Sequence, residues 1–290
     1  MKIGFIGTGK MGAPMARNLA RAGHSVTGFD PQAAMPGGVA TADDAAAAVR
    51  GAEVVVTMLP KGDVLRSVAD TVVPAMAPGA VLVDCSTVDI ESARAVAALA
   101  RTAEIGFLDA PVSGGTVGAD AGTLTFMVGG ASDHLDRVRP LLEAMGSRVV
   151  HCGAVGAGQA AKLCNNMITG ATMAVTCEAF ALANALGLDE ARFYDVVSTS
   201  SGQSWSTTTN CPVPGVGPES PADRDYAAGF AVSLMLKDMT LAVEAAKTVG
   251  SPVATGETAL RAYRDLADGG EGGRDFSALL PRFKSMRGKQ

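Results

Sequence analysis

Apolar residues in the first half fall into short blocks separated by stretches of helical spacing. Lys2-Ile3-Gly4-Phe5-Ile6 is a strand-like run that stops at Gly7. Met15, Leu19 and Ala22 then recur on one helical face, and Gly23 ends that helix. Ser25 to Phe29 reads as a second strand, ending at Asp30. Asp43 or Asp44 is placed to cap a short helix. The β-branched run Glu53 to Leu59 stops at Pro60, and Lys61 to Asp70 has helical spacing. Ala80 to Ser86 is another buried strand, with a helix from Thr87 to about Thr102. Strands alternating with helices predict a parallel sheet with right-handed crossovers. Gly106 to Asp109 reads as a strand running on to Ser113-Gly114-Gly115, and Gly122 to Gly130 alternates as a strand does. Ser132 to Met145 reads as a helix, and Arg148 to Cys152 as a last short strand.

The second half changes period. From about Gln159 to Ala185 the chain is rich in Ala, Met, Leu and Val, has few charges and lacks proline. Gly187 takes the glycine position after a helix. A helix apolar nearly all round is buried or shared between domains. A helix around Asp189 to Val197 precedes a polar loop from Ser198 to about Arg224. A loop of that length is either functional or disordered. Trp205, the only tryptophan, is there either a core filler or a pocket wall. Phe230 to Val249 resumes as helix, and two more helical stretches flank a loop at Gly269 to Gly273. The expected fold is α/β: a Rossmann-type doubly wound sheet over residues 1–157, followed by an all-helical domain over 158–290, joined through a long helix at about 159–185.

Composition narrows the class. The chain has 290 residues, 48% hydrophobic and 4% aromatic, which suits helices packed on a buried sheet. The net charge is -5, and no Lys/Arg run builds a basic face, so neither nucleic acid nor an anionic membrane is an expected partner. No apolar run reaches bilayer length, and the amino-terminal pattern contains no secretory or transit segment. The five cysteines are scattered, with no Cys-x-x-Cys pair, and read as small buried hydrophobes in a reducing compartment. A cytoplasmic protein without a metal site is expected.

Gly7-Thr8-Gly9-Lys10-Met11-Gly12 sits between strand and helix, with Asp30 closing the next strand. In this context Gly7 permits a tight turn, Gly9 lets backbone approach a pyrophosphate, and Gly12 lets helix pack on strand. The helix N-terminus turns its N–H groups toward the phosphates. Asp30 has the spacing of an acid that bonds a ribose 2′-hydroxyl, and it would repel a 2′-phosphate. NAD is therefore favoured over NADP. Ligands of such sheets lie beyond the carboxyl ends of strands, so Leu59, Pro60, Ser86 and Thr87 border the cofactor unless they are ordinary strand-ending turns. Val64, on the helix that follows Pro60, joins the cofactor candidates. Ser113-Gly114-Gly115 offers backbone N–H groups and a hydroxyl suited to a carboxylate, or else forms a hairpin turn. Lys162 and Asn166 are four apart and share a helical face. Lysine is rarely fully buried, so Lys162 on an apolar helix is either a functional group or a snorkelling structural one. Asn165 is expected to point elsewhere and to make a packing or backbone contact. Lys237-Asp238 lies among Leu234, Met235, Leu236 and Met239; neighbours on a helix diverge, so mutual bonding is not expected to explain the pair.

Taken in order, Gly4 to Gly12, Asp109 to Gly115, Gly158 to Asn166 and Lys237-Asp238 resemble the β-hydroxyacid dehydrogenases over nearly the whole chain. Ser200-Ser201-Gly202, Trp205, Pro212 to Val216, Tyr226, Gly229-Phe230, Leu234-Met235 and Asp275-Phe276-Ser277 resemble the branch acting on 3-hydroxyisobutyrate. The resemblance implies that Lys162 is catalytic and that Ser113, Gly114 and Gly115 hold a substrate carboxylate. It further implies that Asn166 anchors substrate, that Lys237 lies by the nicotinamide, and that the protein is a homodimer or homotetramer. The implied reaction is NAD-dependent oxidation of 3-hydroxyisobutyrate to methylmalonate semialdehyde, a step in valine breakdown, with Lys162 as acid/base. Reduction of tartronate, glyoxylate or succinic semialdehyde is the alternative within the family, and NAD binding without catalysis the alternative outside it.

Overall fold

In the computed structural model, which describes residues 1–286, the apolar blocks of the first half become one sheet. Its strands are β1 (Lys2–Ile6), β2 (Ser25–Phe29), β3 (Ala40–Thr41), β4 (Val54–Thr57), β5 (Val81–Asp84), β6 (Gly106–Asp109), β7 (Val112–Ser113), β8 (Leu124–Gly130) and β9 (Gly146–Gly153). The helices are α1 (Gly12–Arg21), α2 (Ala45–Val49), α3 (Gly62–Val72), α4 (Ile90–Thr102), α5 (Gly115–Ala121), α6 (Ser132–Met145), α7 (Ala157–Ala185), α8 (Glu190–Val197), α9 (Trp205–Thr208), α10 (Val232–Thr248), α11 (Ala254–Leu266) and α12 (Leu279–Ser285). The chain divides into two compact units, Met1–Lys162 and a second from Leu163 onward.

Strand order is β3-β2-β1-β4-β5-β6-β8-β7, with β9 beside β8. Pairings from β3 to β6 are all parallel, in the order of a doubly wound nucleotide-binding sheet. The parallel expectation fails beyond β6. Strand β8 runs antiparallel to both β6 and β7, and β9 is parallel to β8. After β6 the chain turns back through β7 and the short α5, so β8 returns on the same edge without a crossover.

Successive strand residues alternate between two cores. Ile3, Phe5, Val54, Val56, Val81 and Val83 pack with Met15 and Leu19 of α1 and Leu135, Val138 and Leu142 of α6. Ile6, Val55, Leu82 and Phe107 pack with Leu65 of α3 and Val96 of α4. Each such side chain, fully buried, stabilises by about 1.5–3 kcal/mol. Asp44 caps α2 through the Ala47 N–H (2.6 Å), and Asp89 caps α4 through that of Ser92 (2.7 Å).

The second unit has its own core. Met173, Cys177 and Phe180 of α7 pack with Met235, Met239 and Val243 of α10, Leu260 and Tyr263 of α11, and Phe276. The polar loop after α8 is pinned from within. The Tyr226 hydroxyl donates to the Pro212 carbonyl (2.9 Å), the Ser220 hydroxyl to that of Cys211 (2.7 Å), and buried Asp275 accepts the N–H groups of Gly229 and Phe230. Trp205 is half exposed and stacks on Phe276 at 6.4 Å. Cys85, Cys177 and Cys211 are buried, but Cys152 is only partly so and Cys164 is exposed, against the expectation for all five.

Candidate active site

The candidate site grows from the carboxyl ends of β1, β2, β4, β5 and β6. Gly7 leaves β1 with φ +91° and donates to the Phe29 carbonyl (3.0 Å). A Cβ on Gly7 would lie 2.3 Å from the Met58 carbonyl oxygen, and one on Gly12 would lie 1.9 Å from that of Gly7. These two glycines are required by packing. A Cβ on Gly9 would meet nothing within 4 Å, and Gly9 and Lys10 are exposed while Met11 is half-buried. The turn thus has an open side at Gly9, which fits close approach of a pyrophosphate. Asp30 faces the same turn. Its Oδ2 accepts the Thr8 N–H (2.8 Å), and its Oδ1 accepts those of Gln32 (2.8 Å) and Ala33 (2.9 Å).

Leu59 lies against this turn, its Cδ2 being 3.3 Å from a Cβ built on Gly7. The Leu59 N–H donates to Ser86 Oγ (2.8 Å), and that hydroxyl donates to Asp84 Oδ1 (2.5 Å). Thr57 Oγ1 donates to the same Oδ1 (2.7 Å). Asp84 is fully buried and its Oδ2 has no hydrogen-bond partner among the described residues. Burial pushes its carboxyl up to about 7, against the opposing effect of the Ser86 and Thr57 hydrogen bonds, with the nearby Asp109 charge acting in the same upward direction. Pro60 is exposed and Thr87 half-buried, and Val64 lies half-buried in the first turn of α3.

Asp109 ends β6 and anchors the start of α7. Its Oδ1 accepts the Gly156 N–H (2.7 Å) and its Oδ2 that of Gln159 (2.9 Å). Burial raises its carboxyl too, opposed by those same backbone donors. A Cβ on Gly158 would lie 2.3 Å from the Met127 carbonyl, so only glycine lets α7 begin this close to the sheet. Lys162 follows one turn later and is 6% exposed. Asp84, Asp109 and Gln159 were not predicted as site residues. A carboxylate closing a β-branched run, as Asp84 does, was the available signal.

Ser113 lies on β7, paired with Thr125; Gly114 takes φ +133° just before α5, and Gly115 takes φ +61° as its first residue. The segment is a strand-to-helix turn rather than a tight hairpin. Asn166 and Lys237 belong to the second unit. There Asn166 Nδ2 donates to Asp238 Oδ2 (2.5 Å), and Asn165 Nδ2 to Asn166 Oδ1 (3.0 Å), so Asn165 supports its neighbour. Lys237 Nζ is 3.5 Å from Asp238 Oδ1. The expectation that adjacent helical residues diverge too far to pair is therefore corrected; the four-carbon lysine stem bends back to its neighbour. Among the described residues no group of three His, Cys, Asp or Glu side chains is placed to hold a metal.

Residues 2–153 match the family described as the NAD-binding domain of 6-phosphogluconate dehydrogenase, and residues 156–283 that described as NAD-binding of NADP-dependent 3-hydroxyisobutyrate dehydrogenase. The chain is 46% identical to a probable 3-hydroxyisobutyrate dehydrogenase of Mycobacterium tuberculosis, over 98% of both chains. It is 45% identical to an NAD-dependent L-serine dehydrogenase of Pseudomonas aeruginosa, over 99% of both. The solved Mycobacterium tuberculosis 3-hydroxyisobutyrate dehydrogenase with L-serine superposes with a TM-score of 0.94 at 45% identity, covering 98% of this chain and 99% of that one. Two family matches in tandem and near-complete coverage at this identity place the chain in the 3-hydroxyisobutyrate dehydrogenase family of β-hydroxyacid dehydrogenases.

Proposed function

We propose that this chain is an NAD-dependent dehydrogenase that oxidises 3-hydroxyisobutyrate to methylmalonate semialdehyde. The observation that carries the reading is Lys162, a buried lysine one turn into a helix anchored by Asp109 at the carboxyl edge of a nucleotide-binding sheet. In this reading the Gly7 to Gly12 turn holds the pyrophosphate, with Leu59, Pro60, Val64, Ser86 and Thr87 bordering the cofactor. Asp30 favours NAD, because its carboxylate accepts a ribose hydroxyl and repels a 2′-phosphate. When bound, the nicotinamide takes up the hydride that leaves the alcohol carbon. Lys162 accepts the hydroxyl proton and hydrogen-bonds the developing alkoxide; in the reverse direction its ammonium polarises the aldehyde oxygen. Ser113, Gly114 and Gly115 hold the substrate carboxylate, Asn166 contributes to substrate binding and Lys237 to the nicotinamide environment. The protein works as a homodimer or homotetramer. Support for that comes from Ile168, Val175 and Leu182, exposed apolar residues seven apart on α7.

L-serine is the second reading, favoured by the relative named for it, which at 45% identity equals the Pseudomonas aeruginosa relative named for 3-hydroxyisobutyrate. Both are three-carbon-backbone acids with a primary hydroxyl. Comparing kcat/KM for 3-hydroxyisobutyrate, L-serine, glycerate and 4-hydroxybutyrate, each with NAD and with NADP, separates them. The expected order has 3-hydroxyisobutyrate with NAD first, by about 10-fold or more, the discrimination available to pocket contacts. L-serine, or any substrate with NADP, taking first place overturns the assignment.

A further inference from the structure

Thr57, Asp84 and Asp109 lie on one register line across β4, β5 and β6, and all three are fully buried. Gln159, also fully buried, joins this line to the loop after β5. Its backbone N–H donates to Asp109 Oδ2 (2.9 Å). Its side-chain Oε1 accepts the Val88 N–H (3.1 Å), and its Nε2 donates to the Ser86 carbonyl (2.8 Å). One amide therefore engages a donor and an acceptor on either side of Thr87, much as a neighbouring strand would. Only a side chain with both an N–H and a carbonyl satisfies the two groups at once. Lys162 follows Gln159 by three positions, so the two rise from adjacent places on the helix surface.

We infer that Gln159 is a positioning residue for the acid/base lysine: it locks the first turn of α7 to the Ser86–Val88 loop, so that Lys162 and the cofactor-bordering loop hold one fixed separation. The inference rests on the role given to Lys162 above. Asp109 and Gln159 divide the task. Asp109, through the Gly156 and Gln159 N–H groups, fixes where the helix begins. Gln159, reaching sideways, fixes how it is rotated about its axis. A mere space-filler at 159 would leave turnover per folded molecule unchanged, whereas misplacing an acid/base group by an ångström costs up to about 100-fold.

Three variants test this: Gln159→Leu, Gln159→Glu and Lys162→Met, each measured for kcat with 3-hydroxyisobutyrate, for direct NAD binding, and for thermal stability to count folded molecules. Gln159→Leu is expected to lose about 10- to 100-fold in kcat per folded molecule while the NAD dissociation constant moves by less than about threefold. In Gln159→Glu the neutral acid restores one donor and one acceptor, whereas the ionised form sets a second acceptor against the Ser86 carbonyl. Its kcat relative to the parent is therefore expected to rise as pH falls from about 9 to about 6, the range in which a buried glutamate protonates. Should Gln159→Leu not fold, this pH ratio decides alone. Folded Gln159→Leu within about twofold of parental kcat, or a flat Gln159→Glu ratio, overturns the inference while an inactive Lys162→Met leaves the lysine assignment standing. An active Lys162→Met overturns that assignment itself.

Discussion

Gly9 differs from the two other glycines of its motif in having no internal reason to be glycine. A Cβ at Gly12 collides with the Gly7 carbonyl, and one at Gly7 with that of Met58; at Gly9 it enters open space. Folding and binding requirements are therefore separate within these six residues. Gly9→Ala is expected to melt within a few degrees of the parent and to lose about 10-fold or more in NAD affinity, because the methyl stands where the pyrophosphate approaches. Gly12→Ala is expected to lose several kcal/mol of stability through overpacking against backbone. Calorimetry with titration of NAD into each variant checks both; unchanged NAD affinity in Gly9→Ala contradicts the reading of the turn. The motif was legible from sequence because strand, glycines, helix and Asp30 all fall within about thirty residues. The bonds of Gln159 were not legible, because they reach Ser86 and Val88, more than seventy residues away.

At the scale of elements, the row of buried polar residues at the strand ends makes stability depend on pH. Asp84 is raised to about 7 in the folded chain from an ordinary value of 3.8. Between those values the folded state binds more protons than the unfolded state, so stability falls as pH rises through the window and levels off above it. Asp84→Asn keeps an acceptor for Thr57 and Ser86 and has no charge to bury. Relative to the parent it is expected to gain on the order of 2 kcal/mol between pH 5 and pH 8. Denaturant melts across that range measure it, and a pH-independent difference refutes the neutral acid. Most strands and helices were legible because burial on one or both faces imprints a period of two or of 3.6. Three elements were missed. Strand β3 is two exposed residues, α5 is a seven-residue helix rich in glycine and alanine, and α9 is a four-residue turn of helix inside the polar loop, so none carries such an imprint. The antiparallel direction of β8 was legible only as the hairpin alternative at Ser113-Gly114-Gly115, because pattern reports which residues are buried and is silent on strand direction.

At the scale of the whole molecule, two units each carry a core of their own. Among the described residues no helix is long and apolar enough to cross a membrane. The exposed stripe of Ile168, Val175 and Leu182 is expected to be covered by a second copy, giving a dimer or tetramer by light scattering. Val175→Asp should shift the mass toward the monomer; a parent already monomeric at micromolar concentration contradicts the oligomer. Family and fold were legible because four motifs keep their order along the chain, while choice among small hydroxy acids depends on pocket contacts that no motif encodes.

Lys162 is expected to carry the proton in an NAD-dependent oxidation. Single-turnover oxidation of 3-hydroxyisobutyrate by Lys162→Met, alongside its NAD dissociation constant, tests it most directly. A loss of about 100-fold or more in the rate of hydride transfer is expected, with NAD binding within about threefold of the parent. Near-parental hydride transfer in that variant contradicts it.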